Sequence, residues 1–279
     1  TSDMEFVDLS EHFLRISRFL YLDATIDAEE RLEGRDHQAA EEFWQGIAEP
    51  LHIAGSIESI NVTPAALDPG SGMMCSTAWE HDLALSELTA AYLREITRFM
   101  WSWIALEKLS DCLCGNKGGR TERIISFLKN SPGSVWGEAK SLGETALCLL
   151  DTVDPMVRRR IGTVLAKERD INFSHIHICR EARNELFHAH RVELYPSEDV
   201  GIPDDPRIKL PQTLCRITLI IIQSVLHAYF YRSTYPTGEL MTSEGVPQGV
   251  ALPVAVRNIH FVEISIQRNQ LDIFSKDSF

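Results

Sequence analysis

Residues 79–113 read WEHDLALSELTAAYLREITRFMWSWIALEKLSDCL. Leu85, Leu88, Tyr92, Ile96, Phe99, Trp103, Leu106, Leu109 and Leu113 recur in steps of three or four. That spacing lines side chains along one face of an α-helix. The pattern predicts one helix of about 34 residues, roughly 50 Å long at 1.5 Å per residue. Gly115, Gly118 and Gly119 stop it. Cys112 and Cys114 form a lone C-x-C with no second pair at zinc-ligand spacing, so they read as helix-end thiols.

Working outward, shorter helices are expected at 120–129, 136–151 and 155–167. Another runs from Ser174, a plausible N-cap, to about Arg191. After the Pro- and Asp-rich loop 196–208, Pro211 is placed to open an apolar helix over 211–231. That helix contains Arg216, Gln223 and His227, each costly in a bilayer, and so reads as a buried bundle helix rather than a membrane span. Upstream, 5–21 carries helical spacing and 26–52 a charged helical stretch ending near Pro50. Ile57, Ile60 and Val62 suggest a short strand before a Pro/Gly loop. Downstream, VALPVAV (250–256), IHFVEISI (259–266) and LDIF (271–274) are β-branched and partly alternating, and are expected to be short strands. The fold class is therefore mainly α. Residues 1–78 form an acidic helical N-terminal region, 79–235 the helical bundle, and 236–279 a small β-rich C-terminal appendage.

Of 279 residues, 44 % are hydrophobic and 24 % charged, ordinary values for a protein with a buried core. Six cysteines and no leading apolar segment suggest a reducing, cytoplasmic setting. The net charge of −13 is uneven. Residues 1–90 hold 18 acids and four arginines, while 91–279 hold 22 acids and 23 bases. Within 157–191 there are eight bases, four acids and four histidines. A polyanion can approach that segment although the whole chain is acidic. The acidic front has two readings: a solvated, solubilising surface, or a mask that competes with bound phosphates.

No P-loop, H-E-x-x-H or G-x-S-x-G pattern is present. His175 and His177 fall about 200° apart on a helix, so they read as core-edge or surface histidines rather than joint metal ligands. No cofactor and no metal are expected. The informative stretch is 179–191, CREARNELFHAHR, which puts Arg183, Asn184, His188 and His190 on one helix. Arginine neutralises a phosphate with a rigid fork of donors. Histidine transfers protons near neutral pH. Together they suit phosphodiester chemistry.

R-N-x-x-x-H on a helix resembles the R-x(4–6)-H signature of the HEPN superfamily, helical domains found in many RNases of toxin and phage-defence systems. Arg31 with His37 and Arg169 with His175 share the spacing, but Arg183 is followed by Asn184, as the family prefers, and sits late in the bundle. FMWSWIALEKL (99–109) also resembles the opening helix of the ApeA-like HEPN group. The resemblance covers roughly 80–232.

The resemblance implies that Arg183 holds the scissile phosphate, His188 acts as general acid/base, and Asn184 orients the pair. Glu107, from the A-L-E stretch, would brace the motif; as a solvated helix charge it reads equally well. Arg183 and His188 are about 140° apart on an ideal helix, whereas Arg183 and His190 are within about 20° of one face. His190 therefore stays in reserve. The implied activity is metal-independent cleavage of single-stranded RNA to 2′,3′-cyclic phosphate and 5′-OH ends. A non-catalytic RNA-, nucleotide- or protein-binding module of a defence complex is the alternative. The implied partners are RNA, a second copy in a homodimer, and a regulatory protein or ligand. The apolar helix 211–231 and the run Phe99 to Trp103 are expected to supply the dimer's apolar surface.

Overall fold

The computed structural model describes residues 5–24, 37–67, 75–115, 117–131, 136–167, 171–188, 194–196, 201–231 and 251–261. In order, the helices are α1 (Leu9–Phe19), continued by a π-helical turn over Leu20–Ala24, α2 (His37–Ser56), α3 (Pro64–Leu67), α4 (Ser76–Leu113), α5 (Arg120–Lys129), α6 (Gly137–Val153), α7 (Pro155–Leu165), α8 (Ser174–His188), α9 (Pro206–Phe230) and α10 (Leu252–Asn258). Among the described residues there is no multi-residue strand. The mainly helical expectation holds, and the long central helix is present as α4, with Cys112 and Cys114 at its end.

The chain divides into two compact units built from interleaved segments: 1–55, 105–134 and 219–279 in one, 56–104 and 135–218 in the other. Both α4 and α9 contribute residues to each unit.

In the first unit, Asp8 caps α1, accepting from the backbone N–H of Ser10 at 2.8 Å and of Glu11 at 3.4 Å. The helix then buries Phe13, Ile16 and Phe19 completely. Phe19 meets Phe230 edge-on at 5.6 Å, and Trp44 stacks on Phe230 at 5.7 Å. The acidic front thus contributes core residues.

Helix α2 runs through Pro50 to Ser56 rather than ending there. A proline inside a helix strips the carbonyl four residues earlier of its partner. That carbonyl belongs to Gly46, and Lys108 Nζ donates to it at 2.8 Å. The replacement donor lies 62 residues away in sequence, out of reach of a local pattern.

The strand expected at 250–256 is corrected: Leu252–Asn258 is helical. Pro253 suits a first helical turn and cannot donate to a ladder. Leu252, Val254, Ala255 and Val256 are all buried, so all-round packing overrides their β-propensity. Phe6 and Phe261 form an isolated antiparallel bridge. The remainder of the expected strands, 262–266 and 271–274, lies outside the described residues, as do 26–36 of the second expected helix.

A buried polar chain ties α1, α9 and α10 together. Gln223 Nε2 donates to the Val256 carbonyl at 2.7 Å and to His260 Nδ1 at 3.2 Å. Its Oε1 then faces His12 Nε2 at 2.7 Å. The Val256 oxygen can only accept, which fixes the amide orientation and makes His12 Nε2 a donor.

In the second unit, Glu95 is fully buried and flanked by two arginines. Arg94 Nε donates to Glu95 at 2.7 Å. Arg98 Nη2 donates to the Ile57 carbonyl at 2.5 Å, and Arg94 Nη1 to the Glu58 carbonyl at 3.3 Å. Residues 57–62, expected as a strand, are irregular: these arginine side chains take carbonyls that a ladder would have used.

Helix α9 opens at Pro206, not Pro211. Asp205 Oδ1 accepts from the Arg207 backbone N–H at 2.8 Å, capping the earlier start, and Pro211 falls inside the helix. It is the one helix among the described residues long and apolar enough to cross a membrane, yet 72 % of its apolar window is buried within the protein. Phe99 is 0 % and Trp103 7 % exposed. Much of the apolar surface expected to serve a dimer thus packs inside the chain, while Met100 in the same run is 43 % exposed.

Candidate functional site

Helix α8 packs against α6 and α7 within the second unit. Its first turn and a half is buried all round, at His175, Ile176, His177, Ile178 and Cys179, and Ala182 is buried beyond it. Gly143 on α6 lets the helices close up: a Cβ there would stand 3.3 Å from His175 Cβ. His175 and His177 are core residues. Burial, with His177 adding to it, pushes the His175 pKa down to about 4. Burial pushes the Cys179 thiol up to about 12, so it is not a nucleophile near neutral pH.

The half-buried side of α8 carries Arg180, Glu181, Arg183, Asn184 and Glu185. Arg183 Nη1 donates to Asn184 Oδ1 at 3.2 Å. The structure therefore brings Arg183 and Asn184 together. His188 is the last residue of α8. His190 lies outside the described residues.

Glu107 belongs to the first unit. Its Oε2 accepts from Arg120 Nη1 at 2.9 Å. Arg120 also reaches Asp111 at 2.7 Å, and Arg123 joins the same carboxylate. Hydrogen bonding from Arg120 holds the Asp111 carboxyl below its usual range. This cluster clips the end of α4 to α5.

Comparison with protein-family models, with curated proteins and with solved structures finds no match to this chain.

Asp154 caps α7, accepting from the N–H groups of Met156 and Val157, both at 3.0 Å, with Pro155 at the first helical position. Arg158, Arg159 and Arg160 follow directly. Arg160 Nη1 donates to both oxygens of Glu185, at 2.8 and 2.7 Å. This pair ties α7 to α8, which pack against each other. The sequence shows the arginine run as bulk charge; the Arg160–Glu185 contact has no signature in spacing. Among the described residues, no group of three or more His, Cys, Asp or Glu side chains gathers as a metal site.

This arrangement can bind a phosphate. Arg183 supplies a half-buried cation with an amide beside it.

Proposed function

We propose that the chain is an endoribonuclease of the HEPN type that cuts single-stranded RNA without a metal. The observation that carries this reading is the Arg183–Asn184 hydrogen bond, 3.2 Å, on the helix that ends at His188. The helical build of the second unit supports the finer reading of a HEPN-like bundle.

Arg183 binds the scissile phosphate through its guanidinium fork, and Asn184 steadies that fork. The ribose 2′-OH attacks the adjacent phosphorus and loses its proton as the P–O5′ bond breaks. The leaving 5′ oxygen takes up a proton. The products are a 2′,3′-cyclic phosphate and a 5′-OH. His188 moves the protons, with His190 in reserve, and Arg183 stabilises the charge that builds on the equatorial oxygens. Unpaired RNA fits because an A-form duplex holds the 2′-OH out of line. In this reading the protein works in the cytoplasm as a homodimer with two motifs at one cleft. A regulatory partner or ligand restrains it, in a toxin or phage-defence role.

The test is a single-stranded oligoribonucleotide with one 2′-deoxy substitution at its main cleavage position, incubated with the full chain in EDTA. The reading predicts cleavage of the all-ribose strand and a block at the substituted position. Cleavage through the 2′-deoxy position would overturn it. RNA binding with no cleavage would favour the non-catalytic module.

A further inference from the structure

Of three consecutive arginines in the first half of α7, only Arg160 makes a close ion pair among the described residues. They repel one another, and a helix N-terminal half disfavours positive charge. Arg159 is exposed, and among the described residues its guanidinium has no partner. Arg158 Nε stands 3.6 Å from Asp151, beyond hydrogen-bond range. Arg160 is half exposed and is held by Glu185, which is itself mostly covered.

The geometry of the Arg160–Glu185 pair decides what it is suited for. Of the Arg160 guanidinium, it is Nη1 that reaches both carboxylate oxygens. Among the described residues, Nε and Nη2 make no hydrogen bond. Those two N–H groups form the parallel edge that accepts a phosphate in bidentate fashion. Glu185 thus fixes the guanidinium while leaving its phosphate-binding edge open. Arg159, next along the helix, adds a second cation toward solvent.

We propose that Arg159 and Arg160 form a second phosphate-binding site, a ridge on α7 that holds RNA backbone phosphates flanking the one at Arg183. The proposal rests on the RNase reading for the identity of the polyanion. It goes beyond that reading by assigning substrate contacts to a helix outside the R-N-x-x-x-H motif. It also predicts that the enzyme favours substrates of several nucleotides over dinucleotides, since a dinucleotide has a single phosphate and cannot occupy both sites.

The experiment measures binding of a 12-nucleotide unstructured RNA across a salt series, using the full chain with Arg183→Ala. The same background is then compared with Arg159→Ala, and with Arg159→Ala plus Arg160→Ala. Cleavage of the 12-mer and of a dinucleotide is measured in parallel with Arg183 intact. Single-stranded RNA loses about 0.7 of salt slope per phosphate contact. The double variant should therefore lower the slope by about 1.4 and weaken binding by about ten-fold at moderate salt. Its kcat/KM should fall on the 12-mer and stay unchanged on the dinucleotide. Arg159→Ala breaks no described contact, so its smaller loss cannot be put down to misfolding. An unchanged slope and affinity within two-fold would overturn the ridge, even if the chain cleaves RNA. The expected slope change without any cleavage would uphold the ridge and overturn the nuclease. No RNA binding at all would overturn both.

Discussion

Lys108 Nζ donates to the Gly46 carbonyl at 2.8 Å, the carbonyl that Pro50 deprives of its helical partner. A long-range lysine thus repairs a proline defect, and α2 continues for six residues beyond Pro50, to Ser56.

Because Lys108 is exposed, water can partly replace it. Lys108→Ala should therefore cost only about 1 kcal/mol. Pro50→Ala restores an N–H at position 50, so in that background Lys108→Ala should cost close to nothing. Urea unfolding of the four proteins in this double-mutant cycle measures the coupling. Equal costs in both backgrounds would mean that the lysine has no such role.

Gln223 is fully buried and bonds to three groups on two other helices and the segment after α10. Gln223→Leu keeps the volume but strips His12, His260 and the Val256 carbonyl of a partner. The loss should be about 3 kcal/mol or more, because each orphaned buried group costs about 1–3 kcal/mol. Chemical denaturation checks this, and a change under about 1 kcal/mol would count against the network.

His175 has its pKa pushed down to about 4 by burial, from an ordinary 6.5. The unfolded chain therefore binds the proton more readily, and stability must fall as pH drops from about 6.5 toward 4. His227 behaves alike: burial first, then Arg257, pushes it to about 4. Each contributes roughly 2–3 kcal/mol to the difference between pH 7 and pH 4.5. His175→Asn should flatten the pH dependence by about that amount in denaturation curves at the two pH values. A variant with the full wild-type drop would contradict the assignment.

Phe13, Ile16, Phe19 and Leu20 are all 0 % exposed. Phe13→Ala should cost about 3–5 kcal/mol, and deletion of residues 1–24 should abolish cooperative unfolding of the first unit. Hydrogen exchange across α2, α9 and α10 reads both. Intact protection in the truncated protein would restore the view of the N-terminal region as a dispensable surface.

The helices were legible wherever the 3.6-residue period was long, above all in α4 and in α5, whose bounds agree with the pattern. Errors arose where a distant group changed the local answer. Lys108 lets α2 pass Pro50, Asp205 starts α9 one turn early, and burial on all sides turns Val254-Ala255-Val256 helical. The expectation that Arg183, Asn184 and His188 share one helix agrees with α8, which carries all three. The pairing of Glu107 with Arg120, and of Arg160 with Glu185, depends on how helices pack and leaves no trace in spacing. Sequence hydrophobicity does not tell an internal core from an interface, so the burial of Phe99 and of most of α9 was not legible in it.

The most direct test of the nuclease account is end analysis of RNA fragments by mass spectrometry. Full-length protein, Arg183→Ala, His188→Ala and His190→Ala are each incubated with unstructured RNA in EDTA. The account predicts 2′,3′-cyclic phosphate and 5′-OH ends from the wild type, a rate loss of at least about a hundred-fold for Arg183→Ala and His188→Ala, and retained activity for His190→Ala. Undiminished cleavage by folded Arg183→Ala, or fragments with 5′-phosphate ends, would contradict it.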